Sequence, residues 1–223
     1  MKGPARPSFG AAGQPAPFPQ RASRGQPVRR TVLIVGEGRE TEPNYFDGLK
    51  REDAVRARFR ITVKRGPGIS PERVVEEAVK YKNQAAVRSE DYDEVWCVMD
   101  TEGPEKRQSL AKALRMAREH DIKVCLSNPA FEVWFLSHFE RSAGFFLDGG
   151  AVIVKLNKHW LKHFSREYEK ADDRLYHRIA GRTSTAVANA QWVREVHHRE
   201  KKDMADCNSS TEVYLLVKKL TTA

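Results

Sequence analysis

The sequence predicts an α/β fold: a mainly parallel central sheet with flanking helices and a helical C-terminal half. Three observations predict it. Short apolar or β-branched runs recur at Thr31–Val35, Phe59–Arg65, Glu94–Asp100 and Ile122–Asn128. Helix-length segments with an apolar face separate them, as right-handed crossovers between parallel strands require. Beyond Pro129 helical periodicity takes over, and no further strand is expected.

Taken in order, TVLIV is a fully buried strand that runs into Gly36-Glu37-Gly38. A helix through Tyr45, Phe46 and Leu49 follows, with Pro43 in its first turn, where a missing N–H is tolerated. FRITVKR is the second strand, closed by the turn Gly66-Pro67-Gly68. Ser70 is placed to cap the next helix and Pro71 to open it, with Val74, Val75, Ala78, Val79 and Tyr81 as its apolar stripe. EVWCVMD is the third strand. A helix from Pro104 carries Leu110, Ala113, Leu114 and Ala117, and IKVCLSN is the fourth strand. Phe131–Phe139 reads as an apolar-rich helix. Residues 151–164, 170–180, 184–203 and 210–220 read as further helices that cap the sheet.

The 223 residues suffice for one sizeable α/β domain that needs no disulfide or structural metal. The first 28 residues hold six of the eleven prolines and four of the fourteen glycines, and predict a disordered basic arm. Residues 29–223 are then the folded domain, with an α/β core over 29–140 and a helical extension over 141–223. The net charge of +9 is concentrated in the arm: residues 1–30 carry six Lys and Arg and no acid, against 33 bases and 30 acids in the remainder. Such an arm can attract phosphate backbones or simply be solvated. Cys97, Cys125 and Cys207 form no CxxC pair, which excludes a zinc cluster and marks the first two as small core residues. No apolar run approaches a membrane span, and the N-terminal residues lack the apolar core of a secretory signal. A cytoplasmic location is expected.

The chemistry concentrates where parallel strands end, the edge along which such sheets bind ligands. Glu37 follows the first strand, Asp100 ends the third, Glu102 lies two residues on, and Glu132 follows the fourth. Carboxylates crowded on one edge repel unless a cation sits among them. Mg²⁺, or Mn²⁺ in its place, prefers such oxygen ligands and would support phosphodiester cleavage. Alternatively, these acids cap helices or pair with Arg39, Lys106 and Arg107. The Gly-Glu-Gly turn has no third glycine of a dinucleotide fingerprint, and no phosphate-binding GxxxxGK[ST] loop occurs anywhere in the chain. Small residues beside Glu37 would instead let a substrate phosphate approach.

Together the blocks VLIVGEGRETEPNYFDGL, DEVWCVMDTEG, LSNPAFEVWFLSHFE and NSSTEVYLLVKKL resemble the RloB-like family of bacterial proteins, which is Toprim-related. The resemblance runs from about Arg30 to Leu220. It implies a Toprim-like fold with a metal-binding Glu after the first strand, here Glu37, and a D-x-D pair that here reads Asp100-Thr101-Glu102. It also implies a Mg²⁺-dependent nuclease acting on DNA or RNA in anti-phage defence, beside an AAA-type or ABC-type ATPase partner. The rival is a non-catalytic binding subunit of an ATPase defence complex.

Secondary candidates surround this set. Asn128 either lies beside the metal or caps the following helix, while Phe131, Trp134 and Phe135 read as core. Thr41 and Glu42 sit in a first helical turn, where an acid suits the dipole and either residue could touch a metal-bound water. His197 and His198 lie in a basic run that reads as a solvated face, or as a nucleic-acid contact together with Arg178, Arg182 and Arg194.

Overall fold

The computed structural model describes residues 3, 28–66, 68, 70–101, 106–199 and 206–222. Apart from Gly3 and Val28, the predicted N-terminal arm lies outside the described residues, as do Glu102 and Pro104. The described residues build an α/β fold around a five-stranded, mostly parallel sheet, compatible with the Toprim-like expectation. Its strands are β1 (Arg30–Gly36), β2 (Phe59–Lys64), β3 (Glu94–Asp100), β4 (Lys123–Asn128) and β5 (Ser210–Thr211), in the order β2-β1-β3-β4-β5.

The first four strands are parallel, and their register aligns Ile34 with Val63 and Trp96, and Val98 with Cys125. Strand alternation then divides each apolar run between two cores. Val32, Ile34, Trp96, Val98 and Cys125 face one side, while Leu33, Val35, Val95, Cys97 and Met99 face the other. Residues 32–35 are completely buried, which is why this strand reads as a continuous apolar run rather than an alternating one.

Helices α3 (Pro71–Val87) and α4 (Arg107–Glu119) cover the second face. In α3, Ser70 Oγ accepts from Arg73 N at 3.4 Å and Pro71 opens the helix, as expected. The other face is deeper. Helices α1 (Thr41–Leu49), α5 (Glu132–Ser137), α6 (Gly149–Phe164), α7 (Leu175–Ile179), α8 (Thr183–Arg199) and α9 (Val213–Thr221) contribute to its core, with Val55 from α2 (Asp53–Arg58). Two sequence blocks dock onto one another there. Tyr45 meets Phe131 and Trp134 edge-on and Phe135 at a tilt, and Phe46 meets Phe131 edge-on, with ring centroids 5.8 to 6.3 Å apart. The expectation that these aromatics are core is met. So is the reading of Cys97 and Cys125 as small core residues, since all three cysteines are buried and free.

The C-terminal half departs from the sequence reading at one point. Ser210–Thr211 form a strand, antiparallel to β4, where only helix was expected. A polar pair has no apolar period to betray it. It is a strand because Thr211 Oγ1 lies 2.8 Å from Ser127 Oγ and Glu212 N donates to Leu126 O at 2.7 Å. Helix α2 was also unforeseen, being a six-residue segment with one buried apolar side chain. The stretch 170–180 is helical only from Leu175, and Ser165–Arg174 is a loop that passes over α5. Among the described residues no helix is long and apolar enough to cross a membrane.

Candidate functional site

The end of β1 is shaped by a close backbone approach. Glu37 N continues the ladder by donating to Val98 O at 2.9 Å. The turn after β2 then closes on it: Gly66 N donates to Gly38 O and Gly68 N to Glu37 O, at 3.2 and 3.1 Å. A Cβ on Gly66 would lie 2.0 Å from Gly36 O, so only glycine fits this position. Two turns thereby hold one another, and Glu37 projects from the pair.

Glu37 is 8% exposed, and both of its carboxylate oxygens are engaged. Oε2 accepts from Asp100 N at 3.0 Å, and Oε1 lies 3.2 Å from Lys106 Nζ. Asp100 ends β3 beside it, tying the ends of adjacent strands together. From the next helix, Glu42 returns to the turn and accepts from Gly38 N at 2.9 Å. Glu42 is 4% exposed. Burial raises its pKa above the ordinary carboxylate range, against the Gly38 N–H that lowers it, and the charges of Glu132 and Glu37 add to the rise.

Glu132 opens α5 and is 2% exposed. Its Oε1 accepts from Tyr168 Oη at 3.1 Å and lies 3.2 Å from Lys170 Nζ, both supplied by the 165–174 loop. Burial, and then the charge of Glu132, keep the Tyr168 phenol protonated far above its usual range. Glu37, Glu42, Asp100, Glu132, Lys106 and Lys170 all line one cavity of about 460 Å³ at the carboxyl edge of the sheet.

Three of the four predicted site residues, Glu37, Asp100 and Glu132, therefore share a cavity, and the fourth, Glu102, lies outside the described residues. Glu42, weighed only as a dipole residue or water contact, belongs to the same wall. The alternative of pairing with nearby cations is realised at Glu37 through Lys106, whereas Arg107 pairs with Asp206 at 2.7 Å. Among the described residues no three His, Cys, Asp or Glu side chains are grouped closely enough to hold a metal ion. Lysine ammonium groups stand against two of the carboxylates instead.

Tyr168 and Lys170 escaped the sequence reading. They lie 36 and 38 residues after Glu132 and follow no local pattern that points back to it. Other expectations are corrected. Asn128 does not occupy the cap position of α5, which falls on Phe131, but pairs with Ser210 in the sheet. His197 is buried rather than solvated, with Nε2 2.9 Å from Asn208 O, and His198 is exposed. Arg178 is tied to Asp172 at 2.8 Å, and Arg194 lies 3.9 Å from Glu212.

A model of the family described as RloB-like protein matches residues 32–220. The chain belongs to the RloB-like family. The matched span holds every carboxylate of the cavity, both lysines and both sequence blocks that dock in the core. Neither the curated proteins nor the solved structures contain a match to this RloB-like chain.

Proposed function

We propose that this RloB-like protein is a divalent-cation-dependent nuclease that hydrolyses phosphodiester bonds in DNA or RNA. The observation that carries this is the convergence of Glu37, Glu42, Asp100 and Glu132 with two lysines on one cavity at the carboxyl edge of a parallel sheet. The donors are all hard oxygens, the set that Mg²⁺ or Mn²⁺ prefers. The cavity already draws positive charge, with an ammonium on Glu37 and another on Glu132. Glu37 and Asp100 would hold the cation, Glu102 would complete the ligand set, and Glu132 would assist. A bound divalent cation supplies charge neutralisation and polarises oxygen in phosphoryl chemistry.

The chain's own groups do the rest. Lys106 and Lys170 sit beside the carboxylates and can draw a phosphate to the cavity mouth. The Tyr168 hydroxyl orients Glu132, and the Glu42 carboxyl, its pKa raised by burial, holds the Gly38 turn beside it. The proposal includes a role in bacterial anti-phage defence with an AAA-type or ABC-type ATPase, on the strength of the family resemblance.

A non-catalytic binding subunit is the second reading. The lysine partners of Glu37 and Glu132 favour it, because they leave those carboxylates compensated without a cation. Incubating purified protein with labelled DNA and RNA in Mg²⁺ or Mn²⁺, with and without the ATPase, decides between the two. Cleavage that disappears in Asp100→Ala, with melting behaviour retained, supports the nuclease. No cleavage under any of these conditions supports the binding subunit.

A further inference from the structure

Helix α6 differs from the rest of the folded body in its charge. Between Asp148 and Glu167 the chain carries Lys155, Lys158, Lys162 and Arg166 with His159 and His163, and no acid at all. The body as a whole is nearly balanced. Lys155, Lys158, His159, Lys162 and His163 recur at three- and four-residue spacing, so they form a single stripe along one flank of the helix, and Arg166 lies just past its end. The buried flank, Val152, Leu156 and Trp160, lies beside this stripe.

The stripe is only partly neutralised. Among the described residues Lys158 and Lys162 have no carboxylate within ion-pair distance. Lys155 shares Glu140 with His159, and Arg166 meets Glu169 and Asp172. Its imidazoles are also ordered as flat rings. His159 and His163 stack on Phe139 at 5.2 and 5.3 Å with interplanar angles of 17° and 23°, and the Arg182 guanidinium lies over the same ring at 5.4 Å. Lost solvation, and then the charges of Arg182, Lys162 and His159, hold His163 below the usual imidazole range.

The position of the stripe supplies its direction. Past Ser165 the chain enters the loop that delivers Tyr168 and Lys170 to Glu132, and Tyr168 N is fastened to Asn157 of α6 at 2.8 Å. One end of the stripe is thus a few residues from the cavity wall. From Lys155 to His163 it spans about 12 Å, roughly three phosphate rises along one strand.

We propose that this face of α6 binds the phosphate backbone of a nucleic acid and leads it to the carboxylate cavity. The surface deepens the nuclease reading and takes its ligand class from it. Lysines contact phosphates without reading sequence, and the stacked imidazoles offer ring faces to splayed bases.

The test needs no catalysis. Full-length protein in EDTA is titrated against fluorescein-labelled 20-nucleotide DNA and RNA of one sequence, and anisotropy is followed over a range of salt. The double charge reversal Lys158→Glu with Lys162→Glu alters two exposed side chains and should leave the melting temperature unchanged. It should weaken binding by at least about tenfold and reduce the slope of log K against log salt by about 1.4, as loss of two phosphate contacts on a single strand requires. The control, Arg115→Glu with Arg118→Glu, makes the same charge change on α4 across the sheet and should have a much smaller effect. Loss with one probe alone assigns the face to that nucleic acid. An equal loss in both double variants, no loss in either, or no measurable binding by the unaltered protein would overturn the proposal. Because binding is read apart from cleavage, a ridge that binds in a protein that never cleaves refutes only the nuclease.

Discussion

Replacing Glu42 by Gln should stabilise the cation-free protein at neutral pH. Its carboxylate is 4% exposed, and the charges of Glu132 and Glu37 disfavour its ionised form. An acid whose folded pKa is raised binds its proton more tightly folded than unfolded. No penalty exists below the unfolded value near 4.5; it grows as pH rises toward the raised folded value and stays constant above. Glutamine keeps an oxygen to accept from Gly38 N. What is removed is the cost of a buried charge among like charges. A relief of about 1 kcal/mol, within the range that single stabilising substitutions commonly give, corresponds to roughly 2–4 °C in Tm for a domain of this size. The assay is a set of thermal melts of both proteins in EDTA from about pH 4 to about pH 8. The gap should open with rising pH and close in acid. If Glu42→Gln melts lower throughout, or the gap does not vary with pH, the charge at Glu42 is compensated and the reasoning fails.

Gly66→Ala should lower stability by about 1–3 kcal/mol, the usual cost of overpacking, because its Cβ would meet Gly36 O at 2.0 Å; thermal melts measure this, and an unchanged Tm would show that the paired turns do not restrain Glu37. Glu94→Gln should destabilise at neutral pH. Burial alone would raise the Glu94 pKa, but hydrogen bonds from Lys219, Lys123 and Trp96 hold it down to about 2. Its contribution is present above the unfolded value near 4.5 and lost as pH falls toward 2, so the gap between mutant and parent should shrink over that window. Asp100→Ala should weaken Mn²⁺ binding at least about tenfold, as loss of a charged oxygen ligand requires, read by calorimetry with the cation alone.

The four parallel strands were legible because each is an apolar run bounded by glycine, proline or charge, and burial on both faces leaves little room for polar residues. Their ends located Glu37, Asp100 and Glu132 with no knowledge of tertiary contacts. What stayed hidden depends on distant partners. Ser210 and Thr211 are a strand only through β4, and Glu42 becomes a site residue only through Gly38. Lys170 reaches Glu132 because a loop after α6 is pinned by Tyr168 and Asn157. His197 has charged residues on both sides in sequence but is covered by the segment around Asn208, which a charge pattern cannot convey. Lys106 was weighed as an ion-pair partner, yet nothing in the sequence distinguished its pairing with Glu37 from the pairing of Arg107 with Asp206.

The placement of α9 and β5 has a consequence for how the protein is made. Val213, Leu216, Val217 and Leu220 belong to the same core cluster as Val32 and Ile34 of the first strand, and Ser210–Thr211 close the β4 edge. A nascent chain that has left the ribosome only as far as Phe139 has all four parallel strands, but one face of its sheet is covered by α1, α2 and α5 alone, and Glu132 lacks Tyr168 and Lys170. A chain terminated before α9 would present exposed apolar sheet surface to chaperones and proteases.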